Sequence, residues 1–425
     1  MGDARWRTVL PGATSAAVLD HVVALAGRPR ELPHAVRHDL AGGGTGLALA
    51  YRQLDLCLPG RGWGATADGW LTAATAGAER VGACAPGLFG GLAGPAFAAW
   101  TSERIPDGDG RETPHDRVVA DAVTRARALG ARRSGLPVRE FDVISGLTGT
   151  GAYLLRRAAD SDPESAADPA SGPALRAILT ALVALCAERE GTPHWYTPVE
   201  AAKDPQVRAM FPYGTLNCGM SHGISGPLAL LALALEAGVR VEGQREVVTT
   251  AARWLTEHRT DDAWGPNWVA MVAVPEPPGA PGSSRPTTAN TRVARASWCY
   301  GSPGIARALW LAGSALGDAS LCELATRTLK AVYRRPASAR LVDDTPGLCH
   351  GVAGLLQITL RFAHDTGDPA FVEAAGGLTG HLLRLRDALP AAGPGFLDGA
   401  AGTILALLAA ATDVPPTWDR TLLLS

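Results

Sequence analysis

Two short stretches carry residue types that could do chemistry. SWCYGSPG begins at Ser297 and GLCHGVAG begins at Gly347. In each, a cysteine stands two residues before a Gly-x-x-Gly, as Cys299 and Cys349, and in the second a histidine, His350, follows it. Two thiolates and one imidazole are a good donor set for Zn²⁺, and three protein ligands leave a fourth tetrahedral position for water or substrate. Sulfur ligands favour zinc over magnesium or calcium. Spacing alone is weak support, because the two cysteines are 50 residues apart and form no C-x-x-C. Each also has a plain packing reading, since cysteine is among the most buried residue types. The zinc reading depends on what brings these residues together.

A repeat supplies it. Gly-x-x-Gly followed by an apolar run occurs seven times, starting at Gly43, Gly91, Gly146, Gly223, Gly301, Gly351 and Gly399. With 50 glycines in the chain, bare glycine pairs also arise by chance, and Gly377–Gly380 reads as one of these. The signal is the order: glycine pair, then an apolar run of helical length, at recurring intervals. Glycine permits positive φ and close approach of chains. Pro95 and Pro227 follow the second glycine of their turns, and a first-turn proline sacrifices no helical hydrogen bond. The runs after the turns have few charges, as in PLALLALAL, and so read as helices buried on most sides. Between them lie amphipathic stretches at 13–27, 66–77, 116–131, 173–190, 244–257, 318–334 and 369–388.

Each repeat therefore reads as a helix hairpin of one amphipathic outer helix, a glycine turn and one buried inner helix. The expected fold is all-α, an α/α toroid (barrel) of seven inner and seven outer helices built from seven hairpin repeats. Closure is favoured because an open solenoid would leave one face of each apolar helix wet. The expected organisation is one domain over 1–425, with long loop insertions near 191–216 and 258–297, both rich in proline and polar residues. A shorter polar loop covers 101–114. The glycine turns should gather at one end of the ring, which makes Cys299, Cys349 and His350 neighbours from adjacent repeats.

The residue before the first glycine is His222 in the fourth repeat, Tyr300 in the fifth and His350 in the sixth. His222 could be a hydrogen-bonded structural residue or an acid–base group. Asp142, in FDVISGLTG, could cap its turn or orient His222. Arg295 reads as a solvated loop charge or as an anchor for an anionic oxygen, and Asn217 as a residue that shapes its turn. Cys57, Cys84, Cys186, Cys218 and Cys322 read as packing residues.

Composition narrows the class. The chain has 425 residues, 47% hydrophobic and 19% charged, with a net charge of −2. Global disorder is excluded, and no basic footprint for nucleic acid is present. Seven cysteines, an odd number in a long chain, argue against a disulfide framework. The N-terminus lacks a signal-peptide apolar region, and no uncharged apolar run is long enough to span a bilayer. The expectation is a cytoplasmic protein with no transmembrane segment.

Three of these stretches carry a resemblance. NCGMSHGISG from Asn217, WCYGSPG from Trp298 and LCHGVAG from Leu348, with FDVISGLTG around Asp142, resemble the lanthipeptide cyclase (LanC-like) family, of the stand-alone cyclase type. The resemblance implies one zinc per chain, held by Cys299, Cys349 and His350. It implies that His222 and Asp142 form an acid–base pair and that Arg295 and Tyr300 are further active-site residues. It also implies a substrate, a precursor peptide of leader and core whose Ser and Thr have been dehydrated by a separate dehydratase. The reaction would be Michael-type addition of a peptide Cys thiol to dehydroalanine or dehydrobutyrine, giving a lanthionine or methyllanthionine ring. Two thiolates already neutralise Zn²⁺, which would keep a third sulfur nucleophilic and favours thiol alkylation over hydrolysis. The alternatives are a LanC-like enzyme that adds glutathione to dehydroamino acids in proteins, a toroidal zinc hydrolase, and a non-catalytic peptide-binding scaffold. One departure from the family pattern falls in N-C-G-M-S-H-G, where a small residue such as alanine is expected at Met220 or Ser221.

Overall fold

The computed structural model describes residues 6–28, 32, 38–80, 87–103, 113–132, 134–160, 170–189, 191–276, 294–385 and 393–425. Cys84, residues 104–112 of the short polar loop and 277–293 of the second insertion lie outside them.

A helix follows every glycine turn. These are α2 (Gly44–Cys57), α4 (Ala93–Thr101), α6 (Leu147–Asp160), α9 (Ser225–Glu236), α11 (Ser302–Leu316), α14 (Val352–Thr366) and α16 (Ala400–Ala411), numbered in chain order. The amphipathic stretches form α1 (Gly12–Ala26), α3 (Trp63–Arg80), α5 (Pro114–Gly130), α7 (Ser171–Leu185), α10 (Gln244–Glu257), α12 (Ala319–Arg334) and α15 (Pro369–Arg384). Two short helices, α8 (Pro205–Met210) and α13 (Ala337–Arg340), complete the set among the described residues. The seven-plus-seven pattern expected from the repeat is thus present. Gly377 and Gly380 lie inside α15, as a chance match should. No helix among the described residues is long and apolar enough to cross a membrane.

The most apolar turn helices, α9 and α16, are buried on nearly every side. Every residue of α16 is buried, as are Ser225–Ala232 at the start of α9. Each fully buried Leu or Ile in them contributes about 1.5–3 kcal/mol. The amphipathic helices bury one stripe only; in α10 it is Gln244, Val248, Ala251, Ala252 and Leu255.

The chain forms two compact units. One comprises residues 1–118, 295–298 and 332–425, the other 119–294 and 299–331. In the first, α2 packs on α3, α14 on α15, and α16 on α2 and α14. The first helix, α1, packs against the last, α16, and Trp6 Nε1 donates to the Ala409 carbonyl at 2.9 Å. In the second unit, α6 packs on α7, and α9 on α6, α10 and α11. The close hairpins α2–α3, α6–α7 and α14–α15 therefore run from a turn helix to the amphipathic helix after it, the reverse of the order expected from the repeat. The reason is linker length: α14 and α15 are joined by Gly367 and Asp368 alone, whereas the opposite connection must carry a glycine turn.

The two long insertions are not wholly loop. They contain β2 (Thr192–Pro193), β3 (Thr215–Asn217), β4 (Thr260–Asp262), β5 (Gly265–Asn267) and β6 (Met271–Ala273), with β1 (Glu188–Arg189) just before. Antiparallel pairs form between β1 and β2, β3 and β6, and β4 and β5. Strands of two or three residues are too short to show an alternating pattern, so composition read them as loop. Their placement matters, because β3 ends at Asn217 and runs straight into the His222 turn.

Candidate functional site

Asp142 does two jobs at once. Its Oδ1 accepts from the backbone N–H groups of Ser145 and Gly146, each at 2.7 Å, which shapes the turn before α6. Its Oδ2 lies 2.6 Å from His222 Nδ1. The two readings of this residue, turn former and orienter of His222, both hold because a carboxylate has two oxygens. Asp142 is 1% exposed and His222 is 34% exposed. The carboxylate is sealed in, while the imidazole reaches solvent.

The turn that carries His222 is fastened on both sides. Val143 N–H donates to the Ser221 carbonyl at 3.0 Å, tying the Asp142 turn to the His222 turn. Ser221 N–H and Oγ–H both donate to the Cys299 carbonyl, each at 3.3 Å. Gly219 must lack a side chain here, since a Cβ would lie 2.5 Å from that same carbonyl and 2.8 Å from the Tyr300 ring. Of the two positions where the sequence departs from the family pattern, Ser221 acts as a donor and Met220 is fully buried.

Tyr300 leans on this group. Its ring centroid is 6.2 Å from that of His222, and Asn217 Nδ2 donates to its hydroxyl at 3.3 Å. Asn217 Oδ1 accepts from Gly219 N–H at 2.9 Å, so Asn217 shapes its turn and holds Tyr300 as well. Gly301, next in the chain, has φ +99°, a conformation that favours glycine and starts α11. Arg295 is exposed.

Cys349 and His350 occupy the sixth turn. Cys349 N–H donates to the Leu397 carbonyl at 2.8 Å, and His350 Nδ1 lies 3.4 Å from Asp398 Oδ1. The sequence reading missed Asp398. A signal was there, since Asp398 stands one before Gly399, the register position of His222, Tyr300 and His350.

Three residues carry donors suited to a metal ion: Cys349 and His350 in the first unit and Cys299 in the second. Cys299 is buried, and Cys349 and His350 are half-buried. Two sulfurs and one nitrogen fit zinc and leave a position for a fourth ligand. The fit rests on the donor chemistry.

The other described cysteines suit packing better than chemistry. Burial pushes the Cys186 and Cys218 thiols up to about 12. Burial also raises Cys57, against hydrogen bonds from Thr412 and Gln53. Near pH 8, Cys186 and Cys218 stay protonated, and a thiol reagent attacks only thiolate. In the folded protein both should alkylate roughly 1,000-fold more slowly than a free thiol of ordinary pKa, and both should react after denaturation. Mass mapping of iodoacetamide adducts before and after unfolding checks this.

Fold and site together define an all-α protein of glycine-turn helices that presents a two-cysteine, one-histidine donor set and a carboxylate-held histidine. The chain belongs to the lanthionine synthetase C-like protein family, which it matches over residues 34–423. It is 25% identical over 288 residues to the nisin biosynthesis protein NisC of Lactococcus lactis subsp. lactis, a match covering 67% of this chain and 64% of that protein. In that match the chain spans just under two thirds of the relative's length. It is also similar to the solved structure of a nisin cyclase, with a TM-score of 0.74 at 21% identity and 97% of each chain covered. That likeness shows the fold, and with it the α/α toroid class expected from the sequence.

Proposed function

We propose that the chain is a zinc-dependent cyclase, acting on a dehydrated precursor peptide of leader and core supplied by a separate dehydratase. The peptide's Cys thiol adds across the double bond of a dehydroalanine or dehydrobutyrine in the same peptide. A sulfur–carbon bond forms at the β-carbon, the π pair moves toward the carbonyl as an enolate, and the α-carbon takes a proton. The step consumes no oxidant and releases no leaving group. The product is a lanthionine or methyllanthionine thioether.

The observation that carries this reading is the bonded chain from Asp142 through His222 and Ser221 to the carbonyl of Cys299. It supports reading His222 as the proton donor and Cys299 as a residue suited to hold zinc. Cys299, Cys349 and His350 would hold zinc, which when bound supplies a Lewis acid that takes up a thiol and deprotonates it. His222 gives its solvent-facing proton to the α-carbon, while Asp142 fixes the ring through Nδ1. Tyr300 braces the imidazole. Arg295 is the cation assigned to the enolate oxygen.

The test is direct. Purified protein with zinc and a dehydrated, cysteine-containing peptide should consume peptide thiols without a change in peptide mass. Ready addition of free glutathione, with peptide thiols left untouched, would replace this reading with the glutathione one.

A further inference from the structure

The seventh turn, FLDGAAG, puts an acidic residue where the fourth and sixth turns put histidine. We propose that Asp398 is the positioning residue of His350. Its carboxylate accepts the Nδ1 proton, which fixes the ring's tautomer and leaves Nε2 as the nitrogen offered to a metal. The inference rests on the zinc reading above and adds a residue to it.

The backbone builds this contact. Leu397 carbonyl accepts from Cys349 N–H at 2.8 Å, and Leu397 N–H donates to the Ala41 carbonyl at 2.9 Å. Gly399 N–H donates back to the Gly395 carbonyl at 3.1 Å. Gly347 closes the fit: a Cβ there would lie 2.8 Å from both Asp398 Cα and the Leu397 carbonyl. Asp398 is therefore held between Leu397 and Gly399, both fixed by main-chain bonds, and its carboxylate reaches His350 Nδ1 at 3.4 Å. The same device recurs in the other histidine of the site, where Asp142 faces Nδ1 of His222.

Solvent limits what the charge alone can do. Asp398 is 58% exposed and His350 is 35% exposed, and exposed ion pairs add little to stability. The gain lies in orientation. A histidine ligand whose second nitrogen is already committed presents the correct lone pair without choosing between tautomers, and losing such a partner costs about 10–100-fold in metal affinity.

Zinc affinity of the full chain, measured by competition with a chromogenic chelator, tests this. Asp398→Asn should bind zinc about 10–100-fold more weakly than wild type at unchanged stoichiometry. Asp398→Glu should recover part of the loss, and the metal-free thermal midpoint should not move. Affinity for Asp398→Asn within twofold of wild type overturns the role of Asp398 and leaves the zinc site standing. Loss of stoichiometric binding overturns it too, because Asp398 would then be a ligand itself. A wild-type chain that takes up no zinc overturns the underlying reading instead.

Discussion

Cys349→Ala should abolish both stoichiometric zinc and ring closure while leaving the fold intact. Structural zinc sites bind with about 10–16 kcal/mol spread over four ligands. One thiolate then accounts for about 3 kcal/mol, or ~100-fold in affinity. The alanine chain should emerge from dialysis against a weak chelator with no bound metal, whereas wild type keeps one zinc. The fold should survive, because the structural duty of this position belongs to the backbone. The Cys349 N–H bond to Leu397 remains in the variant, and the thiol that is removed is only half-buried. Circular dichroism checks the fold, metal analysis the zinc, and a count of peptide thiols the reaction. Full zinc content in Cys349→Ala would overturn the ligand assignment. Full cyclisation without zinc would overturn the proposed chemistry.

The parts of this architecture that rest on local signals were legible in the sequence. A glycine pair followed by an apolar run fixes a turn and a buried helix from neighbouring residues alone, and all seven such turns lead into helices. The direction of tight pairing was not legible, since it depends on which linker is short in three dimensions. The strands around Thr215 and Met271 escaped notice because three residues cannot display a period. At the site, residue types pointed to a two-cysteine, one-histidine donor set, and the pairing of His222 with Asp142 is present. What they could not give was multiplicity. Asp142 both shapes its turn and contacts His222, and Ser221, one of two positions that could depart from the family pattern, is a hydrogen-bond donor to the Cys299 carbonyl. Asp398 was passed over because an aspartate before a glycine turn usually has a local role. Only the register shared with His350 marks it out.

His222→Asn should separate metal binding from proton transfer. The side chain lies outside the group suited to hold zinc, so one zinc per chain should remain. Ring closure should slow by about 10²–10⁴-fold, the usual contribution of a positioned acid. A second readout excludes a merely structural effect. An enolate protonated by a fixed imidazole receives its proton on one face, whereas one protonated by water receives it on either. The variant should therefore give a mixture of configurations at the α-carbon where wild type gives one, and hydrolysis with chiral chromatography of the lanthionine distinguishes them. Asp142→Asn is the sharper companion. The asparagine oxygen can still accept from Ser145 and Gly146 and keep the turn, but an amide N–H₂ now faces Nδ1 in place of Oδ2. Two donors would meet unless Nδ1 gave up its proton, so the ring would be held neutral with its one proton on Nε2, and the imidazolium that serves as the acid would be lost. A rate near that of His222→Asn, with zinc and fold unchanged, is the expected outcome. Wild-type rate and configuration in Asp142→Asn would confine this carboxylate to shaping its turn.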